Sequence, residues 1–116
     1  MLSYSWGVSN KGGSANLHDL SITKLVDKAS PNLALACAVG RHIQHVTLDV
    51  SRPGAPATWP PLVSYRLGDV LITSDTHSGS GSNRPIENIS LSYASIEQTY
   101  VAANGETLET RIDAAG

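Results

Sequence analysis

Residues Asp19 to His42, DLSITKLVDKASPNLALACAVGRH, join an alternating strand pattern to one short helix, and that junction decides how the chain folds. Ser30 is a favourable N-cap, Pro31 suits the first helical turn because its missing N–H is not needed there, and Gly40 can adopt the left-handed conformation that ends a helix. The predicted helix therefore runs from about Pro31 to Val39. Helical spacing puts Leu33, Ala36 and Cys37 on one side and Leu35, Ala38 and Val39 on much of the other, so a single sheet cannot cover both. Either the helix lies deep in its own domain, or it is shared with a neighbouring subunit.

Outward from the helix, most of the chain reads as strands of period two separated by Gly, Pro and Asn clusters. Leu2, Tyr4, Trp6 and Val8 alternate with small polar residues, which marks a strand with one apolar face. A break at Asn10 to Ser14 leads to a second strand over about Asn16 to Lys24. After the helix, Val46, Leu48 and Val50 alternate within a strand over Ile43 to Ser51, and a loop with four prolines runs from Pro53 to Pro61. Strand signals return at Leu62 to Leu67 and at Val70 to Ser74, while His77 to Asn83, HSGSGSN, has the composition of a flexible loop. Ile89, Leu91 and Tyr93 form one alternating set and Ile96, Gln98 and Tyr100 another in shifted phase, which a bulge near Ala94 or Ser95 would reconcile. A turn at Asn104-Gly105 precedes a frayed terminal strand.

With 116 residues, the chain is expected to form a single domain over residues 1–116. Only 16% of residues are charged, the formal net charge is -2, and the eight basic residues are scattered from Lys11 to Arg111. A nucleic-acid partner, which calls for clustered Lys and Arg, is therefore not expected. Low charge suits a surface covered by other protein chains. The single cysteine, Cys37, excludes an intrachain disulfide and reads as a small buried apolar residue. The first ten residues lack the features of a secretory signal, and no apolar run approaches the length of a membrane span, so neither membrane insertion nor signal-dependent export is expected.

Motifs for chemistry are missing. His42 and His45 lie three apart in a strand-like segment, which puts them on opposite faces, so no metal site is expected. No G-x-S-x-G elbow occurs, and Gly79 and Gly81 lack the third glycine and following helix that phosphate cradling requires. Asn88-Ile89-Ser90 fits a glycosylation sequon but reads as ordinary strand. Trp6 falls in the alternating apolar row of the first strand, whereas Trp59 precedes Pro60-Pro61 in the proline loop. The expectation is a protein with no catalytic activity and no cofactor.

Several segments taken in order carry a family resemblance. They are Leu2-Ser3-Tyr4-Ser5-Trp6-Gly7, Asp19-Leu20-Ser21-Ile22-Thr23-Lys24, Asp27-Lys28-Ala29-Ser30-Pro31-Asn32-Leu33, and Ala36-Cys37 with Gly40-Arg41-His42. Further along come Tyr65 to Leu67, Asp69-Val70-Leu71-Ile72-Thr73-Ser74, and Arg84 to Tyr93 with Ile96-Glu97. Over about Leu2 to Tyr100 the chain resembles the haemolysin-coregulated proteins, which form the tube of the bacterial type VI secretion system.

The resemblance implies a mainly β, two-sheet β-barrel-like domain with one short α-helix. It further implies a homo-oligomer, a six-membered ring stacking into a hollow tube that carries effector proteins in its lumen and meets the spike and sheath proteins of the apparatus. Such a protein resides in the bacterial cytoplasm before firing and is then exported through the apparatus. On that reading Asn10, Lys11, Gly12, Gly13 and Ser14 are candidates for ring stacking, and Leu33, Leu35 and Val39 for a lateral interface. The family pattern places a further strand and hairpin before Leu2, so the family's first strand is expected to be missing, and either this is a truncated form or the exposed edge is paired by another chain. The competing expectation is a small β-sandwich binding module that uses Trp59 or Tyr65 on a carbohydrate or peptide.

Overall fold

The computed structural model describes residues 3–54, 56 and 60–113. Its strands are β1 (Ser3–Lys11), β2 (Ser14–Leu25), β3 (His42–Val50), β4 (Val63–Ser78), β5 (Ile86–Ser92), β6 (Ser95–Val101) and β7 (Thr107–Asp113), with the helix α1 (Ser30–Ala38) between β2 and β3. All seven strands belong to one antiparallel sheet, curled into a half-barrel, in the order β1-β2-β5-β4-β6-β7 with β3 paired to β4.

The two sheets that the resemblance implied are the two halves of this one sheet, and β4 is the strand they share. Its first residues pair with β3 on one edge and β6 on the other, from Val63↔Tyr100 to Gly68↔Ser95, and its later residues pair with β5, from Leu71↔Ser92 to Ser78↔Ile86. The separate strands expected at Leu62 to Leu67 and Val70 to Ser74 are thus one strand of 16 residues. Gly68-Asp69 bends it without ending it. Asp69 takes φ +51°, a conformation that Asp tolerates better than most residues, and pairing resumes beyond it. The strand continues through His77 and Ser78, so the first part of the expected HSGSGSN loop is paired with β5. Opposite the bend, β5 and β6 are separated by Tyr93-Ala94, where Ala94 N–H donates to the Gly68 carbonyl at 2.9 Å. That interruption lies where the phase shift between the two apolar sets required one.

A second irregularity sets the phase of β2. Ser5 pairs with Ser21 but Gly7 with His18, so Trp6 stands opposite both Asp19 and Leu20. The extra residue lets Leu17 and Leu20, three apart, both contribute to the core. Val8, expected on the apolar face of β1, is 44% exposed, and Leu2 lies outside the described residues. Beyond Gly105, Thr107–Asp113 pairs with β6 over its whole length, so the strand expected to fray is a regular edge strand.

The core centres on Leu20, Leu67, Val70 and Ile96, all at most 1% exposed, with Ile72, Ile89, Leu91 and Tyr93 around them. Trp6 and Tyr4 are half-buried and close over Tyr65, each with ring centroids 5.6 Å from it. The radius of gyration is 15.8 Å, whereas a compact domain of this length has about 13 Å. Extents of 44 × 40 × 23 Å describe a broad plate, as an unclosed half-barrel should be.

Candidate functional site

The local sequence around α1 fixes both its ends. Asp27 prepares the first turn: its side-chain Oδ1 accepts from Ala29 N–H at 3.0 Å and its carbonyl from Ser30 N–H at 3.1 Å. Ser30 is therefore not the N-cap that the sequence suggested. Ala29 occupies that position with no side-chain cap, while Ser30 Oγ accepts from Asp27 N–H at 3.0 Å and donates to Glu87 Oε1 at 2.7 Å. At the other end Arg41 N–H donates to the Ala36 carbonyl and Gly40 N–H to that of Cys37, with Gly40 at φ +65°. This is the Schellman pattern, which satisfies carbonyls the helix leaves open.

Glu87 holds the helix start against the sheet. Its side chain is wholly buried, and Lys24 Nζ lies 2.9 Å from the Oε1 that also receives Ser30. Burial acts to raise the Glu87 pKa, but hydrogen bonds from Ser30 and Lys24 act against it, and the carboxyl is held at about 2. The Lys24 ammonium also reaches Asp27 Oδ1 at 3.1 Å, so one cation joins β2, the helix lead-in and β5.

So held, α1 packs on β4 with Ala36 buried and Leu33 and Cys37 half-buried against the core. Leu35 and Val39 face away and are 52% and 59% exposed. Of the two explanations for a helix apolar on both sides, a helix deep in its own domain is excluded by this exposure. Leu33 faces its own core, so only Leu35 and Val39 of the three lateral candidates offer apolar surface to another molecule.

The Asn10 to Ser14 segment is tighter than the loop expected. Asn10 and Lys11 end β1, Ser14 begins β2, and Lys11↔Ser14 is the last register pair. Only Gly12 and Gly13 form the turn, at φ +64° and +89°, the two positive values a type I′ hairpin needs. Asn10 Oδ1 accepts from Gly13 N–H at 3.1 Å and steadies the tip. All five residues are exposed. The tip and α1 lie at opposite ends of β2, a strand of 12 residues, about 40 Å long at the usual rise.

The histidines do not converge. His18 Nε2 meets Ser9 Oγ at 3.2 Å, His42 Nδ1 meets Asp69 Oδ1 at 3.0 Å, and His77 lies on β4 beside Asp75 and Glu87. Tyr65, one of two residues offered for a binding module, is 7% exposed beneath Tyr4 and Trp6 and presents no platform, while Trp59 lies outside the described residues. Among the described residues, no helix is long and apolar enough to cross a membrane.

Comparison with known proteins agrees with this geometry. Residues 1–100 match the family model described as "Type VI secretion system effector, Hcp". Protein hcp1 of Pseudomonas aeruginosa is 36% identical over 86 residues, which cover 73% of this chain and 52% of that protein. The chain thus spans about half the length of that curated relative. Among solved structures, a type VI secretion system effector from Yersinia pestis superposes with a TM-score of 0.83 at 29% identity, covering 97% of this chain and 81% of the other. Hcp1 from Salmonella typhimurium gives a TM-score of 0.85 at 26% identity, covering 97% and 77%.

Proposed function

The chain belongs to the Hcp family of type VI secretion proteins, and from that premise we propose that it is a structural subunit of the secretion tube: copies close a ring, most simply of six, rings stack, and effector proteins travel in the lumen. The observation that carries this reading is the outer face of α1. Leu35 and Val39 stand exposed on a helix whose other side is packed and whose ends are both fastened, so the apolar face is rigid and available to a neighbouring copy.

Stacking falls to the Gly12-Gly13 tip. It lies at the far end of β2 from α1, which suits a division between contacts within a ring and contacts between rings. The partners are other copies of the chain, the spike and sheath proteins of the apparatus and the effectors enclosed. Its action is geometric and involves no substrate turnover. The protein is exported with its cargo when the apparatus fires.

Light scattering across a range of concentrations tests the reading. A ring-sized mass for the unaltered protein, reduced by Leu35→Asp or Val39→Asp with circular dichroism preserved, supports it. A monomer at every concentration sinks it. Electron microscopy of the same samples tests stacking, with Lys11→Glu at the tip expected to leave single rings.

A further inference from the structure

Beside the helix anchor, β4 and β5 bring together three side chains, Asp75, His77 and the anchoring Glu87 itself. Asp75 and His77 are alternate residues of β4 and share a face, and His77 is the register partner of Glu87 on β5. His77 Nε2 lies 3.2 Å from Asp75 Oδ1 and 3.1 Å from Glu87 Oε2, and one donor atom from each residue falls within 4.8 Å of the others. The Asp75 and Glu87 side chains are 2% and 0% exposed, whereas His77 is 40% exposed and leaves a way in from solvent.

The carboxylates are satisfied unequally. Glu87 Oε1 is taken by Lys24 and Ser30, and its Oε2 faces His77. Neither oxygen of Asp75 has a hydrogen-bond partner among the described residues, although both are buried. An unpartnered buried carboxylate beside a second one is costly and calls for positive charge. Lys24 does not supply it to Asp75, because its Nζ is engaged by Glu87 Oε1 and Asp27 Oδ1.

We propose that Asp75, His77 and Glu87 form a binding site for a divalent transition cation of the zinc class, with His77 Nε2, one Asp75 oxygen and Glu87 Oε2 as ligands and water completing the shell. Zinc takes nitrogen and carboxylate oxygen at roughly 2.0 to 2.2 Å in tetrahedral geometry, which sets its donors about 3.3 Å apart. The 3.1 and 3.2 Å separations around His77 Nε2 are close to that spacing. An imidazole among two carboxylates favours zinc, cobalt or manganese over calcium, which takes oxygen alone. The ion would clamp β4 to β5 directly behind the carboxylate that receives Ser30, and so tighten the helix anchor.

The test is zinc titration of the purified chain stripped with chelator, followed by calorimetry and thermal unfolding. One zinc per chain is expected, with an unfolding temperature that rises with zinc concentration. His77→Ala should weaken binding by at least about tenfold while the chain stays folded, because that side chain is partly exposed, and Asp75→Asn should do the same. Should Asp75→Asn fail to fold, His77→Ala alone decides. Cobalt should bind in place of zinc and give the visible absorption of a tetrahedral site, lost in His77→Ala. A folded chain that takes up none of zinc, cobalt or manganese at millimolar concentration overturns the site, since a proton would then be what satisfies Asp75. Binding unchanged in His77→Ala but lost on replacing His42 and His45 overturns it equally.

Discussion

Ser30 Oγ donates a 2.7 Å hydrogen bond to Glu87 Oε1 across 57 residues of sequence, and the two side chains are among the most deeply buried of the molecule. The residue that opens α1 is thereby fixed by β5. Ser30→Ala should cost about 1.5 to 3 kcal/mol in urea unfolding, the range for losing a hydrogen bond to a charged group. Ser30→Asp separates this role from capping. A true N-cap would tolerate aspartate, but here a second carboxylate beside Glu87 should make the variant less stable than Ser30→Ala.

The faces of α1 should respond differently to substitution. Leu33→Ala, on the half-buried side, should cost about 1 to 2 kcal/mol of subunit stability. Leu35→Asp and Val39→Asp should change it by no more than about 0.5 kcal/mol while shifting the oligomer toward smaller species. Denaturation midpoint and sedimentation velocity on the same preparations read the two effects apart. Equal unfolding in all three variants would mean that the outer face is structural.

Gly68 and Ser95 meet too closely for a side chain at residue 68, where a Cβ would stand 2.5 Å from Ser95 Oγ. Gly68→Ala should cost about 1 to 3 kcal/mol through overpacking. The same change in a Ser95→Ala background should cost much less, because the Ser95 Cβ is 3.8 Å away. A double-mutant cycle measures the difference. Identical costs in both backgrounds would place the constraint on residue 68 elsewhere.

Alkaline pH should act on Tyr93. Its hydroxyl donates to the His18 carbonyl at 2.6 Å, and burial first, then the Asp19 carboxylate, raise its pKa above the ordinary 10.0. A phenol whose folded pKa lies above the unfolded value contributes stability that is complete below pH 10.0 and is lost as pH rises through the folded pKa. Spectrophotometric titration should show late ionisation for Tyr93 and for Tyr4, which is raised mainly by its hydrogen bond with Tyr65. In Tyr93→Phe one late phenol should vanish and the loss of stability above pH 10.0 should become shallower.

The helix was legible in the sequence because Pro31 and Gly40 act through their own backbones, which nothing distant overrides. Its two apolar sides were legible for the same reason: spacing alone assigns Leu33 and Leu35 to different faces. The continuity of β4 was not. Gly68-Asp69 has the composition of a turn, and only pairing with β3, β5 and β6 carries the strand past it. β7 was legible only as a strand that frays, because it is an edge strand with a single half-buried residue, Ile112, and shows no apolar alternation. At the hairpin tip the glycines marked the turn, but polar Asn10, Lys11 and Ser14 gave no period to show that they were strand. The Asp75, His77 and Glu87 cluster could not be found at all while His77 read as loop, since the pairing of β4 with β5 is what makes neighbours of residues ten apart in sequence.

The pairing of β2 with β5 also governs when the molecule can form. Thr23 Oγ1 reaches Asn88 Oδ1 across 65 residues, and the strand pairing of β2 outside its own hairpin waits for β5. On a ribosome adding about 5 to 20 residues per second, the first hairpin stands for roughly 3 to 13 seconds with its apolar face uncovered. Neither half of the sheet can close earlier, because β4 has to receive strands made after it. Synthesis thus exposes the nascent hairpin to other nascent chains, and a holding chaperone present during translation should raise the yield of native protein.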